Sequence, residues 1–324
     1  MKASEISRVG VFGGAGIIGS SWTTYFLWKG LSVVVYDIDQ NALAPARERI
    51  TRNLSYLVEN GVLTQEAVSN ALDRVVFTQE IAEACQDVQL VQECAPENYE
   101  VKKTLVAALD KHGTSEILFA SSTSGLLITE IAKGSKHPER CIGAHPYNPP
   151  HLIPLVEITK GKQSNDETVQ TAYDFYKALG KEPIVLKKET LGFISNRLQI
   201  ALHREAVDLV LNGVCSVEDV DKAVCFGPGL RYALMGPNLT YQLGGGALGL
   251  KGIMDHIGPS VEMWLADMAA WKKFPENCAD ILQDGVEKEM ANRRPEQGRT
   301  NEEIARWRDD KLLELLRLLG KIDF

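Results

Sequence analysis

The sequence predicts an α/β chain: a doubly wound parallel sheet followed by an all-helical C-terminal domain. Three observations carry this reading. Short apolar segments of strand character alternate with helical segments over residues 1–189, a glycine-rich turn joins the first strand to the first helix, and strand-like segments stop near Leu191. Alternating strands and helices imply parallel pairing in one sheet covered on both faces. Residues 1–189 are therefore expected to form the sheet domain and 190–324 the helical domain.

Taken in order, Val9, Val11 and Phe12 form a short apolar run suited to a buried strand. Gly14, Gly16 and Gly19 follow as a G-x-G-x-x-G turn into a helical pattern. The first glycine permits a tight turn, the second lets the backbone approach a pyrophosphate, and the third lets helix and strand lie close. Gly13 allows a second alignment of the triplet, and the spacing to Gly19 favours Gly14 as its first member. A second apolar run, Leu31 to Tyr36, ends at Asp37, eighteen residues past Gly19. A carboxylate there accepts hydrogen bonds from a ribose diol and repels the extra phosphate of NADP, so this Rossmann-type unit reads as an NAD site. Ile17 and Ile18, at a helix start with free N–H groups, complete the candidate phosphate cradle. A tight strand-to-helix turn alone would explain the glycines, but not the acid that ends the next strand.

Helical character follows over Ala42–Gly61 and Thr64–Leu72. Strands recur at Val75–Phe77, Leu90–Gln92, Ile117–Ala120, Cys141–Ala144, Pro154–Ile158 and Glu182–Leu186. Helices are expected between them at Tyr99–Lys111, Ile128–Lys133 and Asp166–Leu179. In the C-terminal part, Asn196–Leu211 has apolar residues at helical spacing and Ser216–Val224 opens with a cap residue. A glycine-rich turn over Gly244–Gly249 precedes a helical segment Trp264–Phe274, and Thr300 with Glu303 forms a capping box before Ile304–Leu319. That Leu-rich last helix suits either a homodimer contact through the helical domain or packing within one chain.

The 324 residues carry a net charge of −8, which argues against nucleic acid or an anionic membrane as the main partner while leaving room for a local basic pocket that takes a small anionic substrate. Six cysteines are scattered without a C-x-x-C pair, so neither a metal site nor a disulfide framework is indicated and a reduced, cytoplasmic setting fits. The apolar stretch Val9–Ile18 is interrupted by glycines and belongs to the fold rather than to a targeting signal. No run approaches the roughly eighteen apolar residues of a membrane span.

Two strand-end segments carry the candidate chemistry. Ser121–Ser124, SSTS, follows a strand and so falls at the carboxyl edge of the sheet, where open α/β folds bind ligands. Capping of the next helix is the alternative for Ser121 and Ser122. His145 follows another strand and precedes PYNPP, whose prolines force an extended, irregular backbone. An imidazole is suited to accept the proton of an alcohol because its free pKa lies near neutrality. A structural histidine bonded to a carbonyl is the competing reading, and His112, His137, His151, His203 and His256 are expected to be exposed or structural. Glu157, on the next strand among Leu155, Val156 and Ile158, is placed to orient His145 and stabilise its charged form. Asn196, in LGFISNRL, offers an amide to a substrate oxygen or caps its helix.

These residues carry a family resemblance. With GAGIIG, Asp37, ECAPENYEVK, SSTSGLL, HPYNPPHLIPLVE, GFISNR and GLRYALMGP, the chain resembles the L-3-hydroxyacyl-CoA dehydrogenase family nearly end to end. Its branch is the one that includes L-gulonate 3-dehydrogenase (lambda-crystallin) and L-carnitine dehydrogenase. The resemblance implies a catalytic dyad of His145 and Glu157, a hydroxyl at Ser124 holding the substrate's 3-oxygen, and an amide at Asn196 contributed from the helical domain. It also implies that Glu97, Lys102 and Asn148 lie at the nicotinamide half of the cofactor. Without it, Glu97 and Lys102 would pass as a solvated helix face.

Arg231, in GLRYALMGP, separates the branches. A guanidinium grips a carboxylate through two parallel hydrogen bonds, which a free 3-hydroxy acid offers and an acyl-CoA thioester does not. A surface ion pair is the bland alternative. Tyr147 and Tyr232 add a hint of a trimethylammonium enclosure by cation–π attraction, although tyrosines also bond sugar hydroxyls. The expected activity is NAD-dependent oxidation of a small free L-3-hydroxy acid of the L-carnitine or L-gulonate type. A short-chain L-3-hydroxyacyl-CoA is the other substrate class, and a non-enzymatic, crystallin-like NAD-binding role is the other kind of function.

Overall fold

A computed structural model describes residues 1–321. The chain divides into two compact units, one holding Met1–Asn196 together with Gly320 and Lys321, the other Arg197–Leu319.

The first unit is built on eight strands, β1 (Arg8–Phe12), β2 (Ser32–Tyr36), β3 (Val75–Thr78), β4 (Leu90–Glu93), β5 (Leu118–Ser121), β6 (Cys141–Pro146), β7 (Leu155–Lys160) and β8 (Glu182–Val185). Its helices are α1 (Ile17–Trp28), α2 (Gln40–Glu59), α3 (Gln65–Leu72), α4 (Ile81–Ala84), α5 (Tyr99–His112), α6 (Ile128–Ile131) and α7 (Asp166–Ala178). The strands hydrogen-bond in the order β3-β2-β1-β4-β5-β6-β7-β8. The order reverses between β1 and β4, which is where an open α/β sheet leaves a crevice at its carboxyl edge.

Alternation along the strands creates the two layers. Val33 and Val35 of β2 join Trp22 and Phe26 of α1 in one buried cluster, whereas Val34 between them joins Val106 and Leu109 of α5 in the other. Trp22 is fully buried and stacks on Phe26 at 5.1 Å between ring centroids. Each such side chain taken from water stabilises the unit by roughly 1.5–3 kcal/mol.

One pairing departs from the expected parallel sheet. β6 and β7 are antiparallel, with His145 directly opposite Glu157 in the ladder. The physical reason is the short, helix-free connection between them. A parallel return needs a crossover of a dozen or more residues, and the PYNPPHLIP segment is too short to provide one. That exception brings the candidate base and acid together.

The second unit is helical: α8 (Ser195–Leu211, beginning in the first unit), α9 (Val217–Phe226), α10 (Pro228–Leu234), α11 (Pro237–Gly244), α12 (Gly249–Asp267), α13 (Cys278–Asn292) and α14 (Asn301–Leu318). Capping boxes start α9, through Ser216 and Asp219, and α14, through Thr300 and Glu303. The expectation of a helix over Trp264–Phe274 needs correction. α12 starts at Gly249 and stops at Asp267, and the segment after it is irregular and tied to α8 instead. The Ala269 N–H donates to Glu205 Oε2 at 2.9 Å, and Trp271 Nε1 donates to Asp208 Oδ1 at 3.1 Å. Pro275 disfavours helix at Phe274, while Gly249, Gly252 and Pro259, which read as breakers, are accommodated within α12.

Candidate active site

The turn between β1 and α1 has the shape of a phosphate cradle. Gly13, rather than Gly14, takes the left-handed conformation, with φ of +70°. Gly14 and Gly19 are required by contact instead. A Cβ on Gly19 would lie 2.6 Å from the Gly14 Cα, so the third glycine does set how closely helix and turn approach. A Cβ on Gly16 would meet only the Gly13 carbonyl, at 3.5 Å, and would otherwise project into open space. Gly16 and Ile17 are exposed, Ile18 is half-buried, and the first N–H groups of the twelve-residue α1 have no partners within the helix. An open concavity under the positive end of a helix is what a pyrophosphate fits.

Asp37, just past β2, completes the cradle. Its Oδ2 accepts from the Ala15 N–H at 3.0 Å and its Oδ1 from the Asp39 N–H at 3.2 Å, which fixes a partly exposed carboxylate beside the glycine turn. Lone pairs remain for a ribose diol. Arg49 of α2 braces the same turn by donating from Nη1 to the Ala15 carbonyl and to Ser20 Oγ, each at 2.9 Å. Nothing in the sequence pattern marked Arg49, because a helix-borne arginine reads as a solvated face.

A buried charge network holds the rim on the other side of β1. Glu93, at the end of β4, is fully buried. It accepts from Lys102 Nζ at 2.8 and 3.0 Å, from the Ala95 N–H at 2.7 Å and from the Ser121 hydroxyl. Lys102 of α5 is 1% exposed, donates also to the Ala95 carbonyl at 3.1 Å, and stands 3.6 Å from Glu97 Oε2. Glu97 Oε1 in turn accepts from Thr123 Oγ1 at 2.6 Å and from the Ser124 N–H at 2.9 Å. Lys102 is therefore no solvated helix face. Its ammonium is consumed by Glu93, Glu97 and a carbonyl, and it acts on the rim by holding Glu97, which holds the Ser124 backbone. Glu93 and Thr123 were not singled out from sequence, since the ion pair between β4 and α5 has no periodicity to betray it.

The third group is the dyad. His145 is 6% exposed, and its Nδ1 lies 2.8 Å from Glu157 Oε2. Glu157 is fully buried and also accepts from Ser195 Oγ at 2.5 Å, from the Ser195 N–H at 2.9 Å and from the Ile194 N–H at 3.0 Å. Burial alone would push this carboxyl up, yet the combined hydrogen bonds from His145, Ser195 and Ile194 hold it below the ordinary carboxylate value. An ionised carboxylate only accepts, so Nδ1 carries a proton, and in the neutral imidazole Nε2 is then the acceptor. The ring packs edge-on to Phe193 and Tyr147, with centroids 5.6 and 6.5 Å away. Ser195 is not marked beside Asn196 in the sequence, because a serine at a helix start reads as a cap whose oxygen accepts, whereas here its hydroxyl donates to a strand carboxylate.

Asn196 lies in the first unit, where its Nδ2 donates to the Ser124 carbonyl at 2.7 Å. Ser124 and Asn196 are thus neighbours, and the Ser124 residue is exposed. Asn148 is exposed and Tyr147 half-buried in the segment that leads away from His145. Arg231 and Tyr232 are both exposed on α10 of the second unit, and the Arg231 guanidinium makes no hydrogen bond or ion pair among the described residues.

Known proteins are similar to this chain. Residues 8–190 fit the family model for the 3-hydroxyacyl-CoA dehydrogenase NAD binding domain, and residues 192–281 fit that for the 3-hydroxyacyl-CoA dehydrogenase C-terminal domain. The chain belongs to the 3-hydroxyacyl-CoA dehydrogenase family. It is 36% identical to an L-carnitine dehydrogenase of Bacillus cereus over 99% of this chain and 95% of that one. It is 38% identical to a 3-hydroxyacyl-CoA dehydrogenase of Gibberella moniliformis over 98% of this chain and 96% of the relative. Among solved structures, an NAD-dependent 5-formyl-3-hydroxy-2-methylpyridine 4-carboxylic acid 5-dehydrogenase superposes with a TM-score of 0.78 at 30% identity, covering 98% of this chain and 100% of that one. As a member of this family of NAD-dependent dehydrogenases of secondary alcohols, the protein has a turn, acid and helix start that fit the cofactor. No helix among the described residues is long and apolar enough to cross a membrane.

Proposed function

We propose that the protein oxidises the 3-hydroxyl of a small free L-3-hydroxy acid, of the L-carnitine or L-gulonate type, to the 3-keto acid, with His145 as general base. The observation that carries this reading is the buried His145–Glu157 pair, in which the carboxylate engages Nδ1 and so leaves Nε2 of the neutral ring to accept. Bound NAD supplies the hydride acceptor. His145 takes the hydroxyl proton at Nε2, Glu157 offsets the charge that develops on the ring, and Ser124 with Asn196 holds the substrate oxygen. Gly14, Gly16, Ile17, Ile18, Gly19 and Asp37 hold the adenosine and pyrophosphate half of the cofactor. Glu97 and Asn148 face the other half, with Lys102 fixing Glu97.

For the substrate, support comes from Arg231, a guanidinium without a protein partner among the described residues, and from relatives named L-carnitine dehydrogenase. Arg231 is the residue proposed for the carboxylate, and Tyr147 and Tyr232 are the aromatic candidates for the rest of the acid. NADH absorbance over L-carnitine, L-gulonate, L-3-hydroxybutyrate and 3-hydroxybutyryl-CoA tests this. Turnover of a free acid is expected, with Arg231→Leu raising its KM about tenfold or more. Turnover of the CoA ester alone would contradict the free-acid reading.

The quaternary arrangement proposed is a homodimer through the helical unit, in a reduced cytoplasmic setting that suits six unpaired cysteines. In that unit the described buried apolar residues are few, among them Val207, Leu313 and Leu316, while Leu230, Leu234, Leu243 and Trp264 are 60% exposed or more. Such a unit needs a covering surface. Sedimentation velocity is expected to show twice the chain mass, and a monomer at micromolar concentration would refute it.

A further inference from the structure

We infer that Ser195 is a positioning residue which shares Glu157 Oε2 with His145 and so sets how strongly the imidazole holds its proton. The kinetic consequences rest on His145 being the base, as proposed above.

Glu157 has no contact with solvent, so its charge is distributed entirely among protein donors. Oε1 receives two backbone N–H groups, those of Ile194 and Ser195. Oε2 receives two side chains, His145 Nδ1 at 2.8 Å and the Ser195 hydroxyl at 2.5 Å. The two compete for one oxygen. A short hydroxyl bond withdraws charge from Oε2 and weakens its hold on the Nδ1 proton. Glu157 is the charged group in hydrogen-bond contact with the ring, while the Tyr147 phenol and the Phe193 ring close its flanks. Burial, with the Glu157 charge, pushes the Tyr147 phenol up, so it stays neutral while the imidazole titrates.

Removing the hydroxyl leaves Glu157 with three donors and more charge on Oε2. The imidazolium form of His145 is then better stabilised. Ser195→Ala is expected to move the His145 ring titration, followed by NMR of its ring protons, up by about half to one pH unit. The acid limb of kcat/KM should move with it, lowering the rate below that limb by roughly three- to tenfold. Ser195→Thr keeps a hydroxyl and should titrate as the wild type does. A merely structural Ser195 would change the Tm of the Ala variant and leave both titrations in place. An unchanged or lowered ring titration in Ser195→Ala overturns the inference. A raised ring titration with an unmoved kcat/KM limb supports it, and contradicts His145 as the base.

Discussion

Replacing His145 by alanine is expected to lower kcat by about two to four orders of magnitude while NAD binding is retained. The two outcomes separate because the proposed cofactor cradle of β1, α1 and Asp37 lies on different strands from the dyad on β6 and β7. Alanine leaves the substrate oxygen without a proton acceptor. It also leaves Glu157 with the donors of Ser195 and Ile194, which keep the carboxylate satisfied and the fold intact. His145→Gln sharpens the test, since its amide can donate to Glu157 Oε2 but supplies no base at the position of Nε2. Equal losses in the two variants, read as NADH formation beside a fluorescence titration with NADH, assign the loss to proton transfer. A glutamine variant near wild-type rate would mean that the imidazole only orients.

Lys102→Met is expected to destabilise the protein by about 3–5 kcal/mol. Such a loss is a large fraction of a total stability of about 5–15 kcal/mol. The reason is Glu93, fully buried and left with only the Ala95 N–H and the Ser121 hydroxyl once the ammonium is gone. A buried carboxylate without its cation costs more than the pair ever contributed, because desolvation is no longer offset. Guanidinium unfolding midpoints of the wild type, Lys102→Met and the double variant Glu93→Gln with Lys102→Met measure it. The double variant should recover most of the loss, since it removes the stranded charge along with the ion pair. Comparable instability of the two variants would show that Lys102 matters through the packing of its stem instead.

Much of the nucleotide-binding half could be read from residue order alone. Strand, glycine turn, helix, strand and acid are local and follow one another along the chain, and the structure sets Asp37 against the Ala15 N–H as that order implies. His145 and Glu157 were likewise visible as an imidazole and a carboxylate on successive strands. What could not be read was the antiparallel register that places them face to face, because it follows from a connection too short for a crossover rather than from any strand pattern. Glu93 with Lys102 and Glu157 with Ser195 are bonds between elements nine and thirty-eight residues apart, and no periodic signal marks such pairs. The glycine turn shows the same limit on a small scale. Its spacing picks out Gly14, Gly16 and Gly19 but carries no sign that Gly13, just ahead of them, is the left-handed residue. In the helical unit, Gly249 and Pro259 read as breakers but lie in α12.

The most direct measurement of the central claim is the pH dependence of kcat/KM for the wild type and His145→Gln, on whichever 3-hydroxy acid the panel identifies. A single imidazole accepting the alcohol proton predicts a wild-type rate that falls tenfold per unit below the limb, and a slow variant whose limb is gone. The same limb persisting in the variant would contradict the account.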